Sequence, residues 1–306
     1  MKILKVVKSV FFAVLMPAVI PLLMSSCGKE PEPKDMSAKA KVFVSILPQG
    51  YLAQRVGGGH VDISVLVPPG QSPETFEPAP QQMAALSEAD IIFGIGIPFE
   101  DVLFDKIKSA MPNIKVVRTD LDITKIPMES AHGHDHAVEP AGAPDPHVWL
   151  DPKRAIIISE AMRDALGQIA PNYKNDFEAN SLKLKDDLTR ADSLLTEKLR
   201  PYRGRAFYVM HPAFGYFAEA YGLKQKAVEV EGKEPSAREL AELINNIRID
   251  RAPVIFVQKQ FSSVTVERLA TELGIAVVSI DPLEYQYIDN LMKMADAIAE
   301  ALEEKR

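Results

Sequence analysis

Four short segments, far apart in the chain, each place a potential metal ligand where a strand or loop gives way to a helix. They are PPGQSPETFEP with Glu74, PDPHVWLDP with His147, YVMHPAFGYF with His211 and VSIDPLEY with Asp281. Two imidazoles and two carboxylates suit a divalent ion between zinc and manganese in character. Each residue also has a plainer explanation. A lone histidine often serves only as a hydrogen-bonded structural residue, and a carboxylate before Pro or Thr often caps a turn. Their shared placement is what favours a metal.

That placement follows from the elements. Short apolar runs at 41–48, 62–68, 90–96 and 114–119 read as buried strands, with helical stretches at 49–57, 79–88 and 100–110 between them. The scheme repeats with strands at 205–211, 224–230, 253–258 and 274–281 and helices at 214–222, 236–249, 263–273 and 287–303. Strands alternating with helices predict βαβ units and mainly parallel sheets, hence two α/β lobes. In open sheets of this kind ligands bind beyond the carboxyl ends of the strands. His211 and Asp281 end two predicted strands, Glu74 lies in the loop after another, and His147 precedes the helix opened by DPKRAIIISEAM. Each lobe thus supplies two groups to the cleft between them.

Between the lobes, Phe177, Leu184, Leu188, Ala191, Leu195 and Leu199 recur among charged residues from Pro171 to Pro201. Those intervals predict one apolar stripe on a single helix of roughly 45 Å, a stiff brace rather than a hinge. Two helices with an unmarked break would satisfy the same pattern.

The N-terminus bears on compartment. Lys2, Lys5 and Lys8 precede an apolar run from Val10 to Met24, which ends in Ser25-Ser26-Cys27-Gly28. This reads as an export signal over 1–26, with an uncleaved membrane anchor as the other reading. Cys27 is the only cysteine, so it makes no internal disulfide, and it stands where a lipidated cysteine would. Residues 27–40 are charged and lack an apolar period, as a tether would. The division that follows is a lobe over 41–170, a linking helix over 171–200 and a lobe over 201–306. A net charge of −7 without a basic stripe argues against nucleic acid.

Taken together, LVPPGQSPETFEP, DPHVWLDP, HPAFGYFAEAYGL, VEGKEPSARELAELI, IFVQKQFSS and IDPLEYQYIDNL resemble the substrate-binding lipoproteins of zinc and manganese ABC importers. The resemblance runs in order over nearly the whole mature chain. It implies two α/β lobes joined by a rigid helix, one ion between them, and ligands at Glu74, His147, His211 and Asp281. It also implies a monomer held outside the cytoplasm by lipid on Cys27, in the periplasm or at the cell surface, delivering its ion to an inner-membrane permease. Glu74 stands where the family usually has histidine, which hardens the site, while His211 resembles the zinc branch. Zinc is therefore the first expectation, with manganese or ferrous iron as alternatives. His132, His134 and His136 resemble a short form of the histidine-rich loop of zinc-uptake members, although a solvated loop with incidental histidines fits as well. No enzyme motif stands out. The competing readings are a lipid-anchored zinc hydrolase with Glu74 as general base, and a metal-binding surface adhesin.

Overall fold

Each lobe is built by alternation of strand and helix, and the order of the strands is the same in both. The computed structural model describes residues 39–128, 143–229, 235–261 and 264–303. The first lobe contains β1 (Ala40–Val44), α1 (Leu47–Gly57), β2 (Val61–Val65), α2 (Pro80–Leu86), β3 (Ile91–Gly94), α3 (Pro98–Ala110) and β4 (Lys115–Arg118). Helices α4 (Pro152–Ile169) and α5 (Lys174–Leu199) follow. The second lobe contains β5 (Ala206–Val209), α6 (Gly215–Tyr221), β6 (Lys224–Ala227), α7 (Ala237–Asp250), β7 (Val254–Gln258), α8 (Val264–Leu273), β8 (Ala276–Ile280) and α9 (Tyr287–Glu303). The sheets run β2-β1-β3-β4 and β6-β5-β7-β8, with every pairing parallel. The chain therefore reverses direction across the sheet between β1 and β3, and again between β5 and β7. Such switch points leave a crevice at the strand ends.

The strands end sooner than the apolar runs suggest, because polar side chains capture the next backbone groups. The amides of Ser45 and Ile46 both donate to Gln49 Oε1, which turns the chain out of β1 and into α1. The expectation of buried strands holds for the central pairs. It fails at the edges, where Asp62, Ser64 and Lys224 are exposed and no residue of β4 is fully buried. An edge strand has no neighbour on one side and keeps one flank in water.

Two helix starts show how local sequence sets the frame. Asp151 caps α4 by accepting from the Lys153 amide at 2.9 Å, with Pro152 at the first helical position. Ser236 and Glu239 cap α7 reciprocally.

The brace is one continuous helix. All six residues of the expected stripe are buried on α5, and Ser181 joins them. That face packs on α4 and α1 from the first lobe and on α9 from the second. One apolar cluster runs from Val42 in β1 through α5 to Leu302 in α9, so the lobes share a core. A smaller cluster lies between the second sheet and α7 and α8, including Tyr208, Leu243, Ile255 and Leu269. No helix among the described residues is long and apolar enough to cross a membrane.

Candidate metal centre

His211 lies two residues past the end of β5, at the switch point of the second sheet. Gln258, at the end of β7, holds its backbone from both sides: the His211 amide donates to Oε1 at 3.2 Å and Nε2 donates to the His211 carbonyl at 2.6 Å. The imidazole is buried and stacks on Phe261, with ring centroids 4.5 Å apart at 16°. Its Nδ1 lies 2.6 Å from Glu229 Oε1.

His147 belongs to the first lobe but reaches the same place. Asp145, two residues earlier, accepts from its amide at 2.8 Å and holds its Nδ1 at 2.7 Å. Asp145 is itself fixed across the seam, because Tyr216 of α6 donates its hydroxyl to the Asp145 carbonyl at 2.9 Å. The close approach requires a glycine at the head of α6, since a Cβ on Gly215 would stand 2.6 Å from Asp145 Oδ2. Trp149 Nε1 donates to the Pro282 carbonyl at 2.9 Å, and the Tyr287 hydroxyl donates to the Trp149 carbonyl.

Glu74 arrives on the loop between β2 and α2. Phe76 anchors that loop in the core against Phe99, and Gln82 donates back to the Leu66 carbonyl at 2.7 Å. The carboxylate then reaches His211, with Oε1 2.8 Å from Nε2.

One ligand atom each of Glu74, His147 and His211 lies within 4.8 Å of the others. The two Nε2 atoms are 3.4 Å apart. Two zinc–nitrogen bonds of about 2.05 Å meeting at a tetrahedral angle put their nitrogens about 3.3 Å apart, so the imidazoles already stand at ligand spacing. The glutamate is closer to His211 than a shared ion would allow and would withdraw by about half an ångström. Both histidines spend Nδ1 on a carboxylate and turn Nε2 inward, the arrangement that fixes tautomer and raises ligand basicity. The cavity they line measures about 20 Å³, room for one atom-sized guest.

The electrostatics favour a cation. Burial opposes a charge on His211, but Glu229 and Glu74 outweigh it and push its pKa up to about 9. Burial likewise opposes the Glu74 charge, yet its hydrogen bond to His211 and the neighbouring imidazoles hold it below the usual carboxylate range. Three carboxylates thus surround the two imidazoles, Glu74 and Glu229 on His211 and Asp145 on His147.

Asp281 is not in this group of three. It follows β8 as expected, but Oδ1 accepts from Gln260 Nε2 at 2.8 Å and from the Leu283 amide at 2.9 Å, while Lys259 Nζ lies 3.7 Å from Oδ2. It lines an adjacent cavity of about 210 Å³ with Lys259, Gln260 and Tyr285. Cys27, His132, His134 and His136 lie outside the described residues. His60 pairs with Asp176 at 2.9 Å and stacks on Tyr173, pinning the chain before β2 to the start of α5. Asp145 and Glu229 escaped the sequence reading as functional residues. Asp145 carried a signal, an acid two residues before a histidine; Glu229 meets His211 only through the pairing of β5 with β6.

Comparison with known proteins agrees with this architecture. The family model described as zinc-uptake complex component A, periplasmic, matches residues 42–301. The zinc-binding lipoprotein AdcA of Streptococcus pneumoniae is 28% identical over 280 residues, covering 89% of this chain and 55% of AdcA. The chain therefore spans about half the length of the AdcA relatives it matches. The high-affinity zinc uptake system protein ZnuA of Yersinia pestis is 26% identical over 266 residues, covering 80% of this chain and 84% of that protein. A crystal structure of ZnuA superposes with a TM-score of 0.81 at 37% identity, covering 87% of this chain and all of that one (100%). With its two parallel-sheet lobes, its bracing helix and a match over residues 42–301, the chain belongs to the family of the periplasmic zinc-uptake component A.

Proposed function

We propose that this protein binds one divalent transition-metal ion, zinc, outside the cytoplasm and delivers it to the permease of an ABC importer. The observation that carries the reading is the pair of carboxylate-oriented imidazoles 3.4 Å apart with Glu74 against them at the seam of the lobes. The relatives named above support zinc as the cargo, and they are named for zinc binding and uptake rather than for catalysis. Glu74, His147 and His211 are the proposed ligands, with Asp281 at the edge of the site as the further expected group. Lipid on Cys27 and a tether over residues 27–40 would keep the ion carrier at a membrane surface. Manganese and ferrous iron remain the competing cargoes, since a carboxylate hardens the donor set.

The test is elemental analysis of metal-stripped protein reloaded from an equimolar mixture of zinc, manganese and iron. The proposal expects one zinc per chain, lost in both His147→Ala and His211→Ala. Preferential manganese loading would change the cargo. Metal-dependent hydrolysis abolished by Glu74→Gln, with the ion still bound, would replace the carrier by the hydrolase.

A further inference from the structure

The small cavity at the three-residue cluster has a larger neighbour, about 210 Å³ against about 20 Å³. At about 30 Å³ per water, the larger one has room for a divalent ion with its shell of water, whereas the smaller admits a single atom. Two loops build walls of both. The loop after β2 gives Gly70 to the larger cavity and Ser72 and Glu74 to the smaller. The loop after β8 gives Asp281 to the larger, Pro282 to the smaller and Leu283 to both, and Gln260 also lines both. The two spaces therefore abut at Gln260 and Leu283.

Other sides of the small cavity are ill suited to an ion. Pro146, Ala213 and Phe261 are apolar there, and Trp149 spends its N–H on Pro282. An ion pressed through such a wall would lose its water with nothing in exchange. The larger cavity instead carries charge: Asp281 and Glu284 against Lys259. Asp281 Oδ1 is held by Gln260 and the Leu283 amide, and the exposed ammonium of Lys259 lies 3.7 Å from Oδ2. One apolar cluster runs through both lobes, which opposes their parting to admit an ion.

Resting on the reading of Glu74, His147 and His211 as ligands, we propose that the larger cavity is the passage by which a hydrated divalent cation reaches and leaves the cluster. The ion sheds its water where the two cavities abut, at Gln260 and Leu283. Lys259 sets the rate, because its positive charge beside Asp281 opposes an incoming cation. A passage adds the same barrier in both directions. It governs how fast the ion moves, not how tightly it is held.

Stopped-flow transfer of zinc between the full chain and a fluorescent chelator tests this. Leu47, half-buried at the start of α1, lines only the larger cavity. Leu47→Trp should slow capture and release together by about tenfold and leave Kd nearly unchanged. Lys259→Met should speed capture about threefold at low salt, an effect that fades in high salt. Lys224→Met, the same charge change on the opposite edge strand of the second sheet, should leave the rate alone. Wild-type rates in both Leu47→Trp and Lys259→Met, with zinc binding still abolished by His147→Ala, would overturn the passage and leave the ligands standing. Release that quickens in Leu47→Trp while affinity falls would make this wall a structural prop and overturn it too. Tight zinc binding that survives both His147→Ala and His211→Ala would overturn the ligand reading itself.

Discussion

His211 carries two carboxylate partners, and this makes ion binding a proton exchange. In the ion-free protein its pKa of about 9 keeps it protonated at neutral pH, whereas a bound ion requires the free Nε2. Loading near pH 7.5 should therefore release close to one proton from this group, counted by calorimetry in buffers of different ionisation enthalpy, and the release should fade above pH 10. The sign for stability follows. A histidine raised from its ordinary 6.5 to about 9 stabilises the ion-free fold fully below the lower value and loses that contribution as pH rises through the upper one. The gain in Tm on adding zinc should thus be larger at pH 9.5 than at pH 7; an equal gain at both would remove His211 from the shell. The orienting acids give a second expectation. Asp145→Asn and Glu229→Gln should each weaken zinc binding by about 10- to 100-fold without abolishing it, read by chelator competition. Glu74→His should raise the ratio of zinc to manganese affinity, and an unchanged ratio would place Glu74 outside the shell. The candidate ligands could be singled out in the sequence because they sit beside prolines at element ends. Their partners could not, because His211 meets Glu229, and Asp281 meets Gln260, through strand order rather than spacing.

At the scale of elements, periodicity carried most of the fold. The stripe from Phe177 to Leu199 named every apolar residue that α5 buries, and the alternation of runs placed the eight strands of the described residues. What it could not give was where strands stop. The Gln49 side chain ends β1 by taking two amides, and no hydrophobic pattern encodes that choice. The brace should be stability-critical and functionally silent. Leu188 is fully buried on α5, so Leu188→Ala should cost about 2–5 kcal/mol in urea unfolding. One zinc per chain should still bind, since no ligand lies on that helix. Loss of zinc without loss of stability would mean that α5 tunes the site directly.

At the scale of the whole molecule, the shared core argues for a carrier that loads without wide opening of its lobes. One apolar cluster passes through both, so separating them would expose buried surface at a cost of about 25 cal/mol per Å². Solution scattering of ion-free and zinc-loaded protein should give profiles that nearly superpose, and a clear contraction on loading would point to a hinge. The seam has one more property. Trp149 is the sole tryptophan of the chain, and its ring lies 5.2 Å from that of His147 while its N–H bridges to Pro282 in the other lobe. Every indole photon the protein emits therefore originates beside the proposed metal site. Intrinsic fluorescence becomes a dye-free gauge of occupancy, usable in stopped flow to time capture and release, and its intensity should saturate at one equivalent of zinc.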